Sequence, residues 1–381
     1  MDMKLLRKTS IAVAAGLISL TASAATVVPD GRGNGMGNTG VTTADYVLAP
    51  FYNPALVAVY RDSDTFGILL PGIGARIRDT DKTLETVDDL QDAIKQFESN
   101  PSTPGIEATI NGYLDQLADD KPLGVNGGVV ASVALPLNAF STNLFLRGYA
   151  DVIAKTDISS SSNTQTRYEN SRVDMIAFGY SEFGVAVAKR MTLAGQDVSL
   201  GMSPKFQTMR TYKQALTVED FDLSDYDQSE TKENAFNLDL GAVWFYEQFR
   251  AGIAIKDLFS QELQTLDISG VSTYKLDTQV TVSGAYALDY FVATVDWDLT
   301  KQERFTDQND DTQFLRFGIE GNAMGWAQLR AGYEIDLEDT LDNSITAGIG
   351  ISPGDLVSLD LAGSYAGDNQ YGISGNLSFT F

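Results

Sequence analysis

The sequence predicts an all-β chain: one antiparallel transmembrane β-barrel of about 14 strands, with a helical extracellular loop between the first two. Three observations predict it. Apolar and polar residues alternate strictly along many short segments. The segments are even in number, as single-chain bacterial barrels require. Short connections alternate with longer ones, which matches periplasmic turns and outer loops.

Composition narrows the chemistry first. The chain has 381 residues, His 0, Cys 0 and a formal net charge of -24. Without histidine there is no Ser-His-Asp hydrolysis and no His-ligated zinc or haem. Without cysteine there is no disulfide scaffold, thiol catalysis or iron–sulfur cluster. The acidic balance disfavours nucleic acid as a partner. A mean hydropathy of -0.10 is too polar for a bundle of membrane helices.

The first element reads as an export signal over residues 1–24. Lys4, Arg7 and Lys8 precede an apolar stretch from Ile11 to Leu20. Ala22-Ser23-Ala24 then offers a cleavage site after Ala24. That stretch is too short to cross roughly 30 Å of hydrocarbon as a helix. Next comes a segment, residues 25–60, made permissive by Gly31, Gly33, Gly35, Gly37 and Gly40. Gly35, Gly37 and Gly40 fit G-x-G-x-x-G, but no strand precedes them, so this is not a dinucleotide fingerprint.

The barrel occupies residues 61–381. Its strands are expected at 65–77, 124–136, 140–155, 172–190, 196–213, 234–247, 249–258, 274–287, 289–301, 312–321, 325–336, 343–352, 355–366 and 370–381. The fourth could instead be two strands with a kink at Ser181 to Gly184. Short turns fall near residues 136–138, 192–195, 247–248, 288–289, 322–324 and 352–354. Trp244, Phe245, Tyr246, Phe249, Tyr286, Tyr290, Phe291 and Trp326 crowd near these turns, where a girdle would meet lipid headgroups. Trp297 and Phe305 lie toward the opposite rim.

Between the first two strands, the insertion 78–123 is helical. Leu84, Val87, Leu90, Ile94 and Phe97 recur at three- and four-residue steps, and Ile106, Ile110, Tyr113, Leu114 and Leu117 repeat the pattern after Pro101 and Pro104. The last strand carries Tyr371, Ile373, Leu377, Phe379 and Phe381 on one face. Ending on an aromatic, it reads as the insertion signal taken by the barrel-assembly machinery, with outer-membrane lipid and lipopolysaccharide around the wall.

Charged residues opposite the apolar face imply a wet interior. Asp296, Asp298, Arg316, Glu320, Arg330, Glu334 and Asp336 fall on three successive strands, about 4.8 Å apart, and can pair across the wall. They read as a network that fills the lumen, as a polar track for a solute, or as a seat for the N-terminal segment. The acidic stretch 307–311 lacks the glycine and distal glutamate of an EF-hand, and 219–230 is similarly anionic; either could hold divalent cations that bridge lipopolysaccharide, but both read as solvated loops. No catalytic residues, metal ligands or cofactor site emerge, so no enzyme is expected.

Ala44-Asp45, then Tyr52-Asn53-Pro54-Ala55 with Ala49-Pro50 before and Leu56 after, carry a resemblance. With the barrel pattern, they resemble the FadL-like outer-membrane transporters for hydrophobic compounds. The helical first loop and the acidic composition look closer to TraF-type barrel proteins of plasmid transfer operons. The thioredoxin-like protein of the same name is excluded by Cys 0. The resemblance implies that residues 25–60 form a hatch inside the barrel, including Gly31, Gly33, Gly35, Gly37, Gly40, Asn53, Pro54 and Ala55. It also implies the outer membrane of a Gram-negative bacterium and a role in plasmid transfer or the envelope, with other transfer or envelope proteins as partners. Passive passage of small or hydrophobic solutes is the second implication, and a FadL-like channel without conjugation the alternative.

Overall fold

Alternation puts one row of each strand toward lipid and the other toward the interior, so the strands can pair edge to edge until they meet. The computed structural model describes residues 28–137, 139–221, 229–268, 270–323 and 325–381. The proposed signal at 1–24 and most of the acidic stretch 219–230 lie outside the described residues. The strands are β1 (Gly67–Arg78), β2 (Leu123–Leu135), β3 (Ser141–Asp157), β4 (Arg172–Leu193), β5 (Gln196–Thr217), β6 (Thr231–Tyr246), β7 (Phe249–Lys256), β8 (Gln261–Gln264) and β9 (Thr273–Leu276). They continue with β10 (Gln279–Ala287), β11 (Phe291–Asp298), β12 (Phe314–Ala323), β13 (Ala327–Asp336), β14 (Ser344–Ile351), β15 (Val357–Gly367) and β16 (Gln370–Thr380). Fourteen of these form a closed antiparallel barrel; β7 pairs with β10, and β1 seals against β16. Closure leaves no edge, which is what lets a sheet cross hydrocarbon.

The expected strand 274–287 is two elements. Residues 279–287 lie in the wall as β10, while β9 leaves it and pairs with β8 in a two-stranded ribbon that packs on inward-facing residues of β4 and β5. The alternation runs through the break, so period alone could not reveal it. What lifts the ribbon is packing: the Tyr274 ring stacks on Phe178 at 3.4 Å between centroids and meets Phe305 edge-on at 5.0 Å. The fourth strand is continuous from Arg172 to Leu193, with no break at Ser181 to Gly184. It is held on both sides there, Ser181 opposite Gly148 on β3 and Thr208 on β5. One irregularity falls in β1, whose register slips by a residue between Leu69 and Gly72 against both neighbours. Pro71, which has no N–H to donate, sits in that bulge.

Side-chain directions follow the alternation. On β16, Tyr371 and Ile373 face outward, Ile373 at 72% exposure, while Ser374, Asn376 and Ser378 are buried inside. Leu377 and Phe379 are half-buried on the outer face, and the terminal Phe381 is exposed. Trp244, Tyr246, Phe249, Tyr286, Tyr290, Phe291 and Trp326 all face out beside the short turns. Phe245 does not: parity turns it inward, where Arg190 lies over its ring at 4.3 Å and Arg250 at 5.8 Å. Phe305 is buried in the cluster with Tyr274 rather than displayed at the rim, whereas Trp297 is exposed.

The insertion after β1 is a pair of helices, Thr83–Ser99 and Ile106–Ala118. Leu90, Ile94, Ile110, Leu114 and Leu117 are fully buried between them and on the tops of β2 to β4. The Asp79 carboxylate starts the first helix by accepting from the Thr83 and Leu84 backbone N–H groups. A third helix, Thr164–Asn170, lies in the loop after β3. It has no apolar period long enough to announce it, but Asn163 caps it and Arg167 ties it to Asp115 at 2.7 Å.

Candidate functional site

Residues 28–60 run through the barrel interior. A polar wall facing inward needs something polar or wet against it, and here the chain's own N-terminus supplies it. Short helices at Gly31–Gly35 and Ala49–Tyr52 and a 3-10 turn at Pro54–Ala58 give the segment its shape. Asp30 opens the first by accepting from Gly33 N–H at 2.7 Å, and its other oxygen accepts from the Tyr52 hydroxyl at 2.5 Å. Burial pushes the Asp30 carboxyl up to about 6. Asn53 joins the two halves: its amide donates to Val41 O at 2.9 Å and its oxygen accepts from Ala55 N–H at 3.0 Å. That is the physical content of the Asn53-Pro54-Ala55 motif. Val47, Leu48, Phe51, Leu56 and Val57 form an apolar cluster against Val130, Phe145 and Val243 of the wall.

The glycines of the segment are close-approach residues. A Cβ on Gly33 or Gly40 would collide with Tyr52, and one on Gly31 with the Asp360 backbone at 2.6 Å. Gly35 faces Gly348 across the gap, and Gly37, at φ +69°, sits against Phe317 O and Tyr333. The wall answers with glycines of its own. Cβ atoms on Gly332 and Gly318 would strike Met36 and Gly37 or Thr39, and one on Gly201 would strike Pro54 and Ala55. These wall glycines were not singled out by the sequence, because a glycine in a strand says nothing of what lies across from it.

Ion pairs brace the wall around the segment, and Arg32 ties the segment to it. Arg316 reaches Asp298 at 3.0 Å and Glu334 at 3.1 Å; Arg330 reaches Glu320 and Asp360, each at 2.6 Å. Glu334 also takes Arg76 at 2.9 Å and the Asn38 amide at 2.9 Å. Arg32 bridges Asp45 and Glu320, the latter at 3.2 Å. Among the described residues Asp296 makes no ion pair at these distances. It accepts instead from the Gly40 and Val41 N–H groups at 2.8 and 3.0 Å, which makes it a direct seat for the segment. Asp336 stands apart, accepting from loop N–H groups of Gln313, Thr340 and Leu341. Arg32, Arg76 and Asp360 complete the network without having been expected. Asp360 lay in the alternation, but its partners could be known only from the closed barrel.

A second buried cluster surrounds Lys205, whose ammonium lies 2.9 Å from Asp239, 2.9 Å from Asp257 and 3.3 Å from Glu182. Inward parity on β4 to β6 was the signal that could have found it. Over the loop end, Arg304 pairs with Asp151 at 2.6 Å and Asp310 at 3.5 Å. Burial pushes the Asp310 carboxyl up to about 6, against the pull of Arg304. Asp311 pairs with Lys301 and Asp307 accepts from Ser272, so these loop carboxylates are engaged by the protein itself.

A closed fourteen-stranded wall around its own N-terminal segment defines a FadL-like outer-membrane barrel. The toluene transporter TbuX of Ralstonia pickettii superposes with a TM-score of 0.57 at 12% identity, over 96% of this chain and 100% of that one. The monoaromatic hydrocarbon channel TodX, as a deltaS2S3 mutant, gives 0.55 at 11% identity over 95% and 99%. The Pseudomonas putida toluene transporter TodX gives 0.51 at 11% identity over 92% and 97%. At such identity the likeness is one of fold. The chain belongs to the family described as "F plasmid transfer operon, TraF, protein", whose model matches residues 50–298. Among curated proteins nothing matches.

Proposed function

We propose that the protein is exported by residues 1–24 and folds in the outer membrane of a Gram-negative bacterium, using its C-terminal strand as the insertion signal. There it acts as a conduit rather than a catalyst. A small or hydrophobic solute passes when the N-terminal segment 25–60, acting as a hatch, shifts. The observation that carries this reading is how the hatch is held. It touches the wall by side chains, ion pairs and glycine beds, and joins no strand ladder. It can therefore move without unzipping the barrel. The toluene transporters of like fold support the solute class.

A chain with no cysteine allows a clean test. Gly35→Cys with Gly348→Cys places two thiols where hatch and wall nearly touch. Oxidised, the double variant should pass no hydrophobic probe into liposomes; reduced, the same variant should pass it. Equal uptake in both states would mean that the hatch does not gate passage.

The family description supports a second reading, a role in plasmid transfer with envelope proteins as partners. The helical pair after β1 presents the largest ordered structure on the loop end. Deleting residues 79–121 should then lower mating efficiency at least tenfold while the barrel still folds. Undiminished transfer would exclude the helices as a docking surface.

A further inference from the structure

Beneath the ribbon, between the outer loops and the hatch, lies a cavity of about 60 Å³ within a recess of about 730 Å³ that is partly open to solvent. Its lining is cationic in a chain whose net charge is -24. Arg76, Arg78, Arg147, Lys256, Lys275 and Arg304 line it, and Asp257 is its one carboxylate among the described residues. Four of these cations are matched elsewhere: Arg76 by Glu334, Arg147 by Glu182, Lys275 by Glu303 and Arg304 by Asp151. Asp257 is taken by Lys205 at 2.9 Å.

Arg78 and Lys256 differ. Among the described residues neither makes an ion pair. Arg78 reaches only the Asp342 carbonyl, at 3.4 Å. Lys256 donates to the Phe51 carbonyl at 2.5 Å and lies over the Tyr52 ring at 5.9 Å. Carbonyl oxygens and a ring face offset part of a cation's lost hydration, but not its charge. Two half-buried cations facing one small cavity attract an anion strongly there, because few waters screen them. Tyr149, Tyr180 and Tyr274 share the lining and give it flat, partly apolar walls.

We propose that this cavity recognises a small organic carboxylate, held by Arg78 and Lys256. The cavity takes the anionic head, and the body of the ligand lies in the open recess. Either an arenecarboxylate or a short aliphatic acid supplies that chemistry. The inference builds on the conduit reading for how the ligand is delivered, but binding can be measured without passage.

Calorimetric titration of the full-length protein in non-ionic detergent tests it, with sodium benzoate, sodium butyrate and neutral toluene as probes. At least one carboxylate should bind, and the tighter of the two names the source. Arg78→Gln with Lys256→Gln should weaken that binding tenfold or more. Arg78→Lys with Lys256→Arg should stay within about threefold of wild type, and Lys82→Gln on the exposed loop should change nothing. The proposal is overturned if neither carboxylate binds, if the doubly neutral variant binds as wild type does, or if toluene displaces the carboxylate from an unchanged site. Uptake without carboxylate binding overturns this site alone. Binding without uptake overturns the conduit alone.

Discussion

Gly332→Val is expected to dislodge the hatch and raise single-channel open probability several-fold. At this position on β13 an added Cβ would lie 2.1 Å from Gly37 N and 2.3 Å from the Met36 carbonyl carbon. Backbone, unlike the tip of a lysine, cannot swing aside. The strand itself has no quarrel with valine, which suits a pleated wall. The strain therefore falls on the hatch, at a cost of about 1–3 kcal/mol. Gly284→Val is the matched control, since nothing lies within 4 Å of a Cβ there. Planar-bilayer recordings of the two variants decide the matter. Indistinguishable traces would mean that the hatch yields without opening a path.

Glu334→Ala should produce the largest loss of stability, about 3–5 kcal/mol, because it strands charges that are buried. Among the described residues Arg76 would lose its only ion pair, Arg316 would keep Asp298 alone, and Asn38 would lose its acceptor. Glu334→Gln, which keeps the shape and one acceptor, should lose less. Urea unfolding in detergent micelles, followed by tryptophan fluorescence, gives the comparison. An alanine variant within about 0.5 kcal/mol of wild type would show that water fills the gap without cost.

Much of the wall was legible in the sequence because its two environments are so different. Ile373 beside Ser374, or Trp297 beside Asp298, announces which side faces lipid. Parity failed where packing within the lumen took over: Tyr274 keeps the beat of β10 yet belongs to the ribbon, since Phe178 and Phe305 wait for it there. The charged row on β11 to β13 was legible as a row, but its division of labour was not. Asp296 holds backbone, Glu334 holds arginines and Asp336 holds a loop, and nothing in their spacing distinguishes them. Phe245 misled for the opposite reason: its neighbours in sequence are girdle residues, and only its parity marks it as inward.

The Gly31 amide donates to the Asn376 side chain, 345 positions later. Arg76 likewise waits for Glu334. The leading end of the hatch therefore gains this partner only when nearly the whole polypeptide exists, and loop-closure entropy delays such contacts further. Biogenesis must end with two events in concert, the sealing of first strand to last and the settling of the leading residues within. A nascent chain truncated by a single strand at its tail would lose the seam to β1 and the Asn376 seat of Gly31 at once.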